Sequence, residues 1–274
     1  MDLKGKCAIV TGGSSGIGKA IANELARRGA NIFLIARRED VLKAAVKEIE
    51  KSAVMQSQRF GFFSADVADS KAVQEAVNAA ESACGPPAVL INSAGVSRAG
   101  YVEKLPISGM EQEIRVNYLG TVFMIKAVLD GMMSRREGWI LNVSSLAGLK
   151  GIFGYTGYSG SKFAVVGFSE SLRSELRPYG VNVSVLCPPD VDTPMLVDDK
   201  RDKPLETLKI SEGAEIMQPE DVARAALAGL EKGRFIIIPN FAGKMLWIAN
   251  RIAPSLVDRI MNSTIDKVRK ERGL

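Results

Sequence analysis

The chain has 274 residues, 46% of them hydrophobic and 24% charged, with a net charge of +5, three cysteines and no histidine. Without imidazole or a Cys-x-x-Cys pair, histidine-based zinc sites and Ser-His or Cys-His nucleophile pairs are excluded, which removes most hydrolases. The odd cysteine count (Cys7, Cys84, Cys187) suits apolar filling in a reducing compartment rather than a disulfide framework.

In chain order, short β-branched runs alternate with longer helical patterns. The first run, "CAIVT" at 7–11, is followed at once by "TGGSSGIGKA", which places Gly12, Gly16 and Gly18 where a strand turns into an amphipathic helix. Glycines there permit a tight turn and let a pyrophosphate approach backbone N–H groups at the positive helix end; the alternative is a plain turn. The second run, "NIFLIA" at 31–36, ends in Arg37-Arg38 with no carboxylate before Glu39. An acidic residue there would bind a ribose 2′-hydroxyl, whereas two guanidiniums suit a 2′-phosphate, so NADP(H) is favoured over NAD(H); the alternative is that both arginines solvate a helix start. The third run, 60–65, ends at Asp66, a candidate for an adenine amino group or a helix N-cap. Further runs lie at 88–92, 139–144, 181–186 and 234–239.

Seven strands separated by helices predict a parallel, doubly wound α/β sheet covered on both faces, with ligands at its carboxyl edge. The alternation fails between Pro188 and about Pro219, where a Pro- and Asp-rich stretch at 188–218 reads as a substrate lid. Its acids Asp190, Asp192, Asp198 and Asp199 are candidates for an ammonium partner without ranking, or simply solvated. Residues 1–239 are read as one nucleotide-binding and catalytic domain, and 240–274 as a helical extension.

Within "GYSGSKFAVVGF", Tyr158 and Lys162 stand four residues apart and so share a helix face. An ammonium beside a phenol is expected to lower its pKa from about 10 and make it a workable general acid. Side chains cannot supply hydride, so a nicotinamide must.

The extension carries seven Lys or Arg against three Asp or Glu, while residues 1–239 carry 29 against 28, which argues against a nucleic-acid face on the main body. Phe241, Met245, Ile248, Ile252, Leu256 and Ile260 form one stripe, with Lys244, Arg251 and Arg259 elsewhere. The pattern fits a membrane interface, or docking on the core or on a second subunit, and Pro254 should bend or split it. No secretory signal and no apolar run of about 18 residues is found, so the expected location is the cytoplasm, free or peripheral on that face of a membrane.

Five motifs in order, "TGGSSGIG", "NSAG", "VNYLG", "NVSSLAG" and "YSGSK", resemble the short-chain dehydrogenase/reductase family from Lys6 to about Pro194. The resemblance implies a single Rossmann-like domain and a catalytic tetrad of Asn117, Ser145, Tyr158 and Lys162. In it Ser145 binds the substrate carbonyl, Tyr158 protonates the alkoxide, Lys162 tunes Tyr158 and binds the nicotinamide ribose, and Asn117 holds a relay water. It implies that Ser14, Ser15, Ile17, Val67, Asn92, Ala94, Gly95 and Pro188 join the glycines, arginines and Asp66 at the dinucleotide. Val191 and Thr193 would meet the carboxamide, and a homo-oligomer, dimer or tetramer, is implied too. "CPPDVDTPML" and "KRDKPLETLKISE" resemble the branch that reduces the long-chain ketone precursor of sphinganine, and Pro189 agrees with that branch. Ser93 stands where most of the family has asparagine. The implied substrate is a lipophilic ketone; a β-ketoacyl, hydroxysteroid or retinoid substrate, or an NADP(H)-sensing protein without activity, are the alternatives.

Overall fold

The computed structural model describes residues 1–199 and 202–271; Lys200 and Arg201 of the expected lid and residues 272–274 of the extension lie outside them. Seven parallel strands form one sheet in the order β3-β2-β1-β4-β5-β6-β7. They are β1 Cys7–Thr11, β2 Asn31–Ala36, β3 Phe60–Ser64, β4 Pro87–Asn92, β5 Gly138–Val143, β6 Val181–Leu186 and β7 Ile236–Ile237.

The pleat divides each strand between two cores. Ala8 and Val10 of β1 join one cluster with Ile21 and Leu25 of α1 (Gly16–Arg27), Leu42 and Ile49 of α2 (Glu39–Glu50), and Leu227 of α9 (Pro219–Glu231). Cys7 and Ile9 face the other, with Val77 of α3 (Ser70–Cys84), Met124 of α5 (Gly120–Arg135) and Leu172 of α6 (Thr156–Leu176). Ile21 and Leu25 are 0% exposed, and each such side chain contributes about 1.5–3 kcal/mol of burial. Burial on both faces is why the strands read as continuous apolar runs.

Three features depart from simple alternation. The seventh strand keeps only two residues, which pair with β6 at the sheet edge. Helix α4 (Ile107–Glu113) runs into a π-helical stretch, Ile114–Leu119, before α5 begins. Between β6 and α9 two six-residue helices occur, α7 (Pro194–Asp199) and α8 (Leu205–Ile210), and a bridge between Val191 and Met217 closes the base of this segment. After β7 the chain forms α10 (Phe241–Ile252) and α11 (Pro254–Glu271), divided at Pro254 as expected.

Consecutive strands stop being neighbours at β1 and β4, so the crevice outside their carboxyl ends is the topological switch point. The chain leaves β1 to β6 along the wall of that crevice.

Candidate active site

A cleft of about 420 Å³ opens there. Its floor is set by Thr11, whose Oγ1 accepts from the N–H groups of Ser93 and Ala94, both at 3.1 Å, and so locks the β1 turn to the β4 turn. Gly12 has φ +64°, and a Cβ on it would lie 2.8 Å from Ala94 N and Ser93 O. A Cβ on Gly16, φ +53°, would lie 3.0 Å from Thr193 Cγ2. The two glycines thus let the turn after β1 pack against the β4 turn and Thr193, and with Ser14, Ser15 and Ile17 they line the cleft, where the turn's backbone N–H groups would hold a dinucleotide's phosphates. Gly12→Ala should lower stability by about 2 kcal/mol, from strain plus overpacking, and weaken nucleotide binding. A melting curve and a fluorescence titration of NADPH, both unchanged, would count against it.

Ser14, Ser15, Gly16, Ile17, Arg37, Arg38, Asp66, Val67, Ala94, Gly95, Pro188, Val191 and Thr193 line the cleft. Among the described residues, neither arginine is in an ion pair with a carboxylate. Asp66 accepts from Ala68 N at 2.9 Å, but the cap of α3 is Asp69, which accepts from the N–H groups of Lys71 and Ala72.

Two expected cofactor residues are not on the wall. A Cβ on Gly18 would lie 2.5 Å from Gly12 O, so this glycine lets α1 press against the turn. Asn92 is buried and donates to Asn142 Oδ1 at 2.9 Å, and Asn142 donates to Ser169 Oγ at 2.9 Å. It points along the sheet and ties β4 to β5 and α6 instead of reaching the crevice.

Ser145, Tyr158 and Lys162 converge at the other end of the cleft, and Asn117 lies behind them. Ser145 is extended after β5, and its Oγ accepts from Ala147 N. Lys162 Nζ donates to Val143 O at 2.9 Å and stands 5.5 Å from the Tyr158 ring centre. The Asn117 amide donates to Val96 O and Ser161 Oγ, both at 2.9 Å, and accepts from Val96 N at 2.8 Å. Its side chain is thus spent on clamping the loop after β4 to α6.

The electrostatics of the pair run opposite to the sequence expectation. Burial pushes the Tyr158 phenol up; a hydrogen bond with Ser145 pulls it down, and the charges of Asp199, Asp190 and Glu113 push it further up. Burial also pulls Lys162 down to about 8. Desolvation outweighs the attraction between ammonium and phenolate. A raised phenol is fully protonated at neutral pH, the form a proton donor needs.

Other groups near this end carry no motif. Glu113, fully buried one turn before Asn117, accepts from Arg98 N at 2.8 Å and is pushed up to about 7 by burial. Tyr155 packs 5.7 Å from Tyr158, ring to ring. Of the four lid acids, Asp190 and Asp199 line the cleft; Lys203 Nζ lies 3.5 Å from Asp190.

A nucleotide cradle at the switch point of a parallel sheet, with a serine, tyrosine and lysine at its far end, defines an NAD(P)-dependent oxidoreductase. The family described as short chain dehydrogenase matches residues 6–204, and the chain belongs to it. It is similar to 3-ketodihydrosphingosine reductase of Mus musculus, with 45% identity over 234 residues, 85% of this chain and 70% of the relative. A short chain dehydrogenase/reductase from Burkholderia phymatum in complex with NAD superposes with a TM-score of 0.82 at 26% identity, covering 93% of this chain and 96% of that one. A short-chain dehydrogenase from Sphingobium yanoikuyae in complex with NADPH gives 0.77 at 26% identity, covering 93% and 95%.

Proposed function

We propose that the protein reduces 3-ketodihydrosphingosine to sphinganine with NADPH. The observation that carries this reading is one continuous cleft, with Arg37 and Arg38 at one end, Ser145, Tyr158 and Lys162 at the other, and a lid beyond them. Besides Asp190, Asp199 and Lys203, the lid side carries the apolar residues Leu196, Ile210 and Ala214, with Ile152 and Leu246 beside them, a surface an alkyl chain requires. The identity to the Mus musculus relative supports the same substrate. Arg37 and Arg38, free of ion pairs among the described residues, suit a 2′-phosphate.

When bound, a reduced nicotinamide supplies the hydride. Ser145 donates to the ketone oxygen and holds the carbonyl carbon toward the nicotinamide site. As negative charge grows on that oxygen, Tyr158 passes its phenolic proton to it, and the ketone becomes an alcohol. Lys162 then faces a phenolate and stabilises it. Reprotonation is assigned to the Lys162 and Asn117 side of the site, where Thr121 Oγ1 donates to the Asn117 main-chain carbonyl at 2.8 Å.

NADPH oxidation measured against 3-ketodihydrosphingosine, a β-ketoacyl thioester and a ketosteroid tests the substrate. The sphingoid ketone should have the highest kcat/KM by at least about tenfold, a difference of 1.4 kcal/mol in transition-state binding. A higher value for either competitor overturns the assignment.

The helical extension supports contact with a membrane, where such a lipid resides. Phe241 is 77% exposed and Ile252 79%, and Met245, Ile248, Leu256 and Ile260 are exposed as well. Leu246 on the same helix lines the cleft, so α10 connects this apolar surface to the substrate site. No described helix is long and apolar enough to cross a membrane. The full chain should float with anionic phosphatidylglycerol vesicles, and Phe241→Glu with Ile252→Glu should abolish flotation without changing the melting temperature. Equal flotation of both proteins, or none by the wild type, removes the membrane reading.

A further inference from the structure

The proposed substrate bears an ammonium on the carbon next to its ketone, and a buried cation needs a carboxylate. The carboxylates around the cleft can be sorted by what already neutralises or removes them. Asp66 stands at the end of β3 beside the Arg37 and Arg38 end. Asp190 has Lys203, whose side chain is almost fully buried and whose Nζ lies over the Tyr155 ring at 5.5 Å. Glu113 and Glu206 are fully buried and line no part of the cleft. Asp192 and Asp198 do not line it either.

Asp199 remains. It lines the cleft at the end of α7, half-buried; Lys203 acts on it by charge but makes its ion pair with Asp190, and no ion pair to Asp199 occurs among the described residues. Tyr155 donates to its Oδ2 at 3.4 Å, and the Tyr155 ring packs on Tyr158. The carboxylate is therefore one aromatic ring away from the proton donor. Its place is fixed: Leu196 of α7 is 7% exposed, and the N–H groups of Leu196 and Val197 donate to the carbonyl of Thr193, which abuts Gly16. Burial raises the carboxyl's pKa, a cost that an incoming cation would offset.

We propose that Asp199 binds the ammonium adjacent to the reducible ketone and so selects amino ketones over neutral ketones. The assignment rests on the substrate reading above, but it can fail separately. Tyr155 positions the carboxylate; Ser145 and Tyr158 hold the ketone oxygen, and the alkyl chain runs under the lid.

The test compares 3-ketodihydrosphingosine with its analogue lacking the amine, in wild type and Asp199→Asn, together with equilibrium binding of sphinganine. In Asp199→Asn, kcat/KM for the amino ketone should fall about 10- to 100-fold, mainly through KM, with the neutral analogue changed less than about threefold. Sphinganine affinity should fall by a similar factor, and Asp199→Glu should recover part of it. An equal loss on both ketones, or no loss on either, overturns the role of Asp199. Wild type inactive on both ketones overturns the substrate reading, while the sphinganine titration still decides whether Asp199 holds an amine: affinity unchanged in Asp199→Asn refutes it.

Discussion

Tyr158→Phe should lower kcat for ketone reduction by about 10²- to 10⁴-fold, the range of a lost general acid, and leave the NADPH dissociation constant within about threefold. The expectation follows from position. Tyr158 shares the end of the cleft with Ser145 and Lys162, is hydrogen-bonded to Ser145, and is held protonated by its surroundings. Phenylalanine keeps the ring, its packing against Tyr155 and the fold, and removes only the transferable proton. The wild-type pH profile carries a second sign. Because the phenol is pushed up, its own ionisation does not limit reduction near neutrality. Lys162, held at about 8, does: it is charged below that value and loses its proton above it. With the ammonium gone nothing offsets the phenolate that forms, so kcat/KM should fall as pH rises through about 8. A near wild-type rate in Tyr158→Phe, or a profile flat from pH 6 to 10, contradicts this account.

Arg37→Ala with Arg38→Ala should weaken NADPH binding by about 10- to 100-fold and leave NADH almost unchanged. Two charge-assisted contacts to a phosphate are at stake, each contributing about 1.5–3 kcal/mol at most and less where water reaches them. Both residues line the cleft directly after β2, and Arg38 is also the N-cap of α2, though without a side-chain cap bond. Losing its side chain therefore costs the helix little. Competitive titration of the two nucleotides decides the matter: an equal loss for both would mean that the arginines shape the turn and do not read the 2′-phosphate.

The sheet is largely legible in the sequence because it is buried on both faces. β1 to β6 coincide with their apolar runs to within a residue, and the glycine turn after β1 announces the crevice. β7 is shorter than "RFIIIP" suggests, since only Ile236 and Ile237 pair with β6, and the side chains of a run do not say how much of it finds a partner. The lid composition hides α7 and α8: six residues are too few for a helical period to register. The motif that implies Asn92 at the dinucleotide does not show that its side chain donates to Asn142.

At the site, spacing gives neighbours but not energies. The four-residue spacing of Tyr158 and Lys162 predicts a shared face, yet the direction of the phenol's shift depends on how much water the fold removes, which no spacing encodes. Glu113, Tyr155 and Asp199 carry no motif; their proximity to Tyr158 arises from α4, α6 and α7 meeting at one end of the crevice. An acid one turn before Asn117 and one within a Pro- and Asp-rich stretch look like ordinary surface charges until the chain is folded.

The most direct measurement is mass spectrometry of the lipid formed from 3-ketodihydrosphingosine with NADPH deuterated on the transferring face of the nicotinamide ring. One deuterium at the carbon that was the ketone, in wild type and in trace amounts with Tyr158→Phe, is the predicted result. An alcohol without label at that carbon, or no alcohol from a folded protein that binds NADPH, would contradict it.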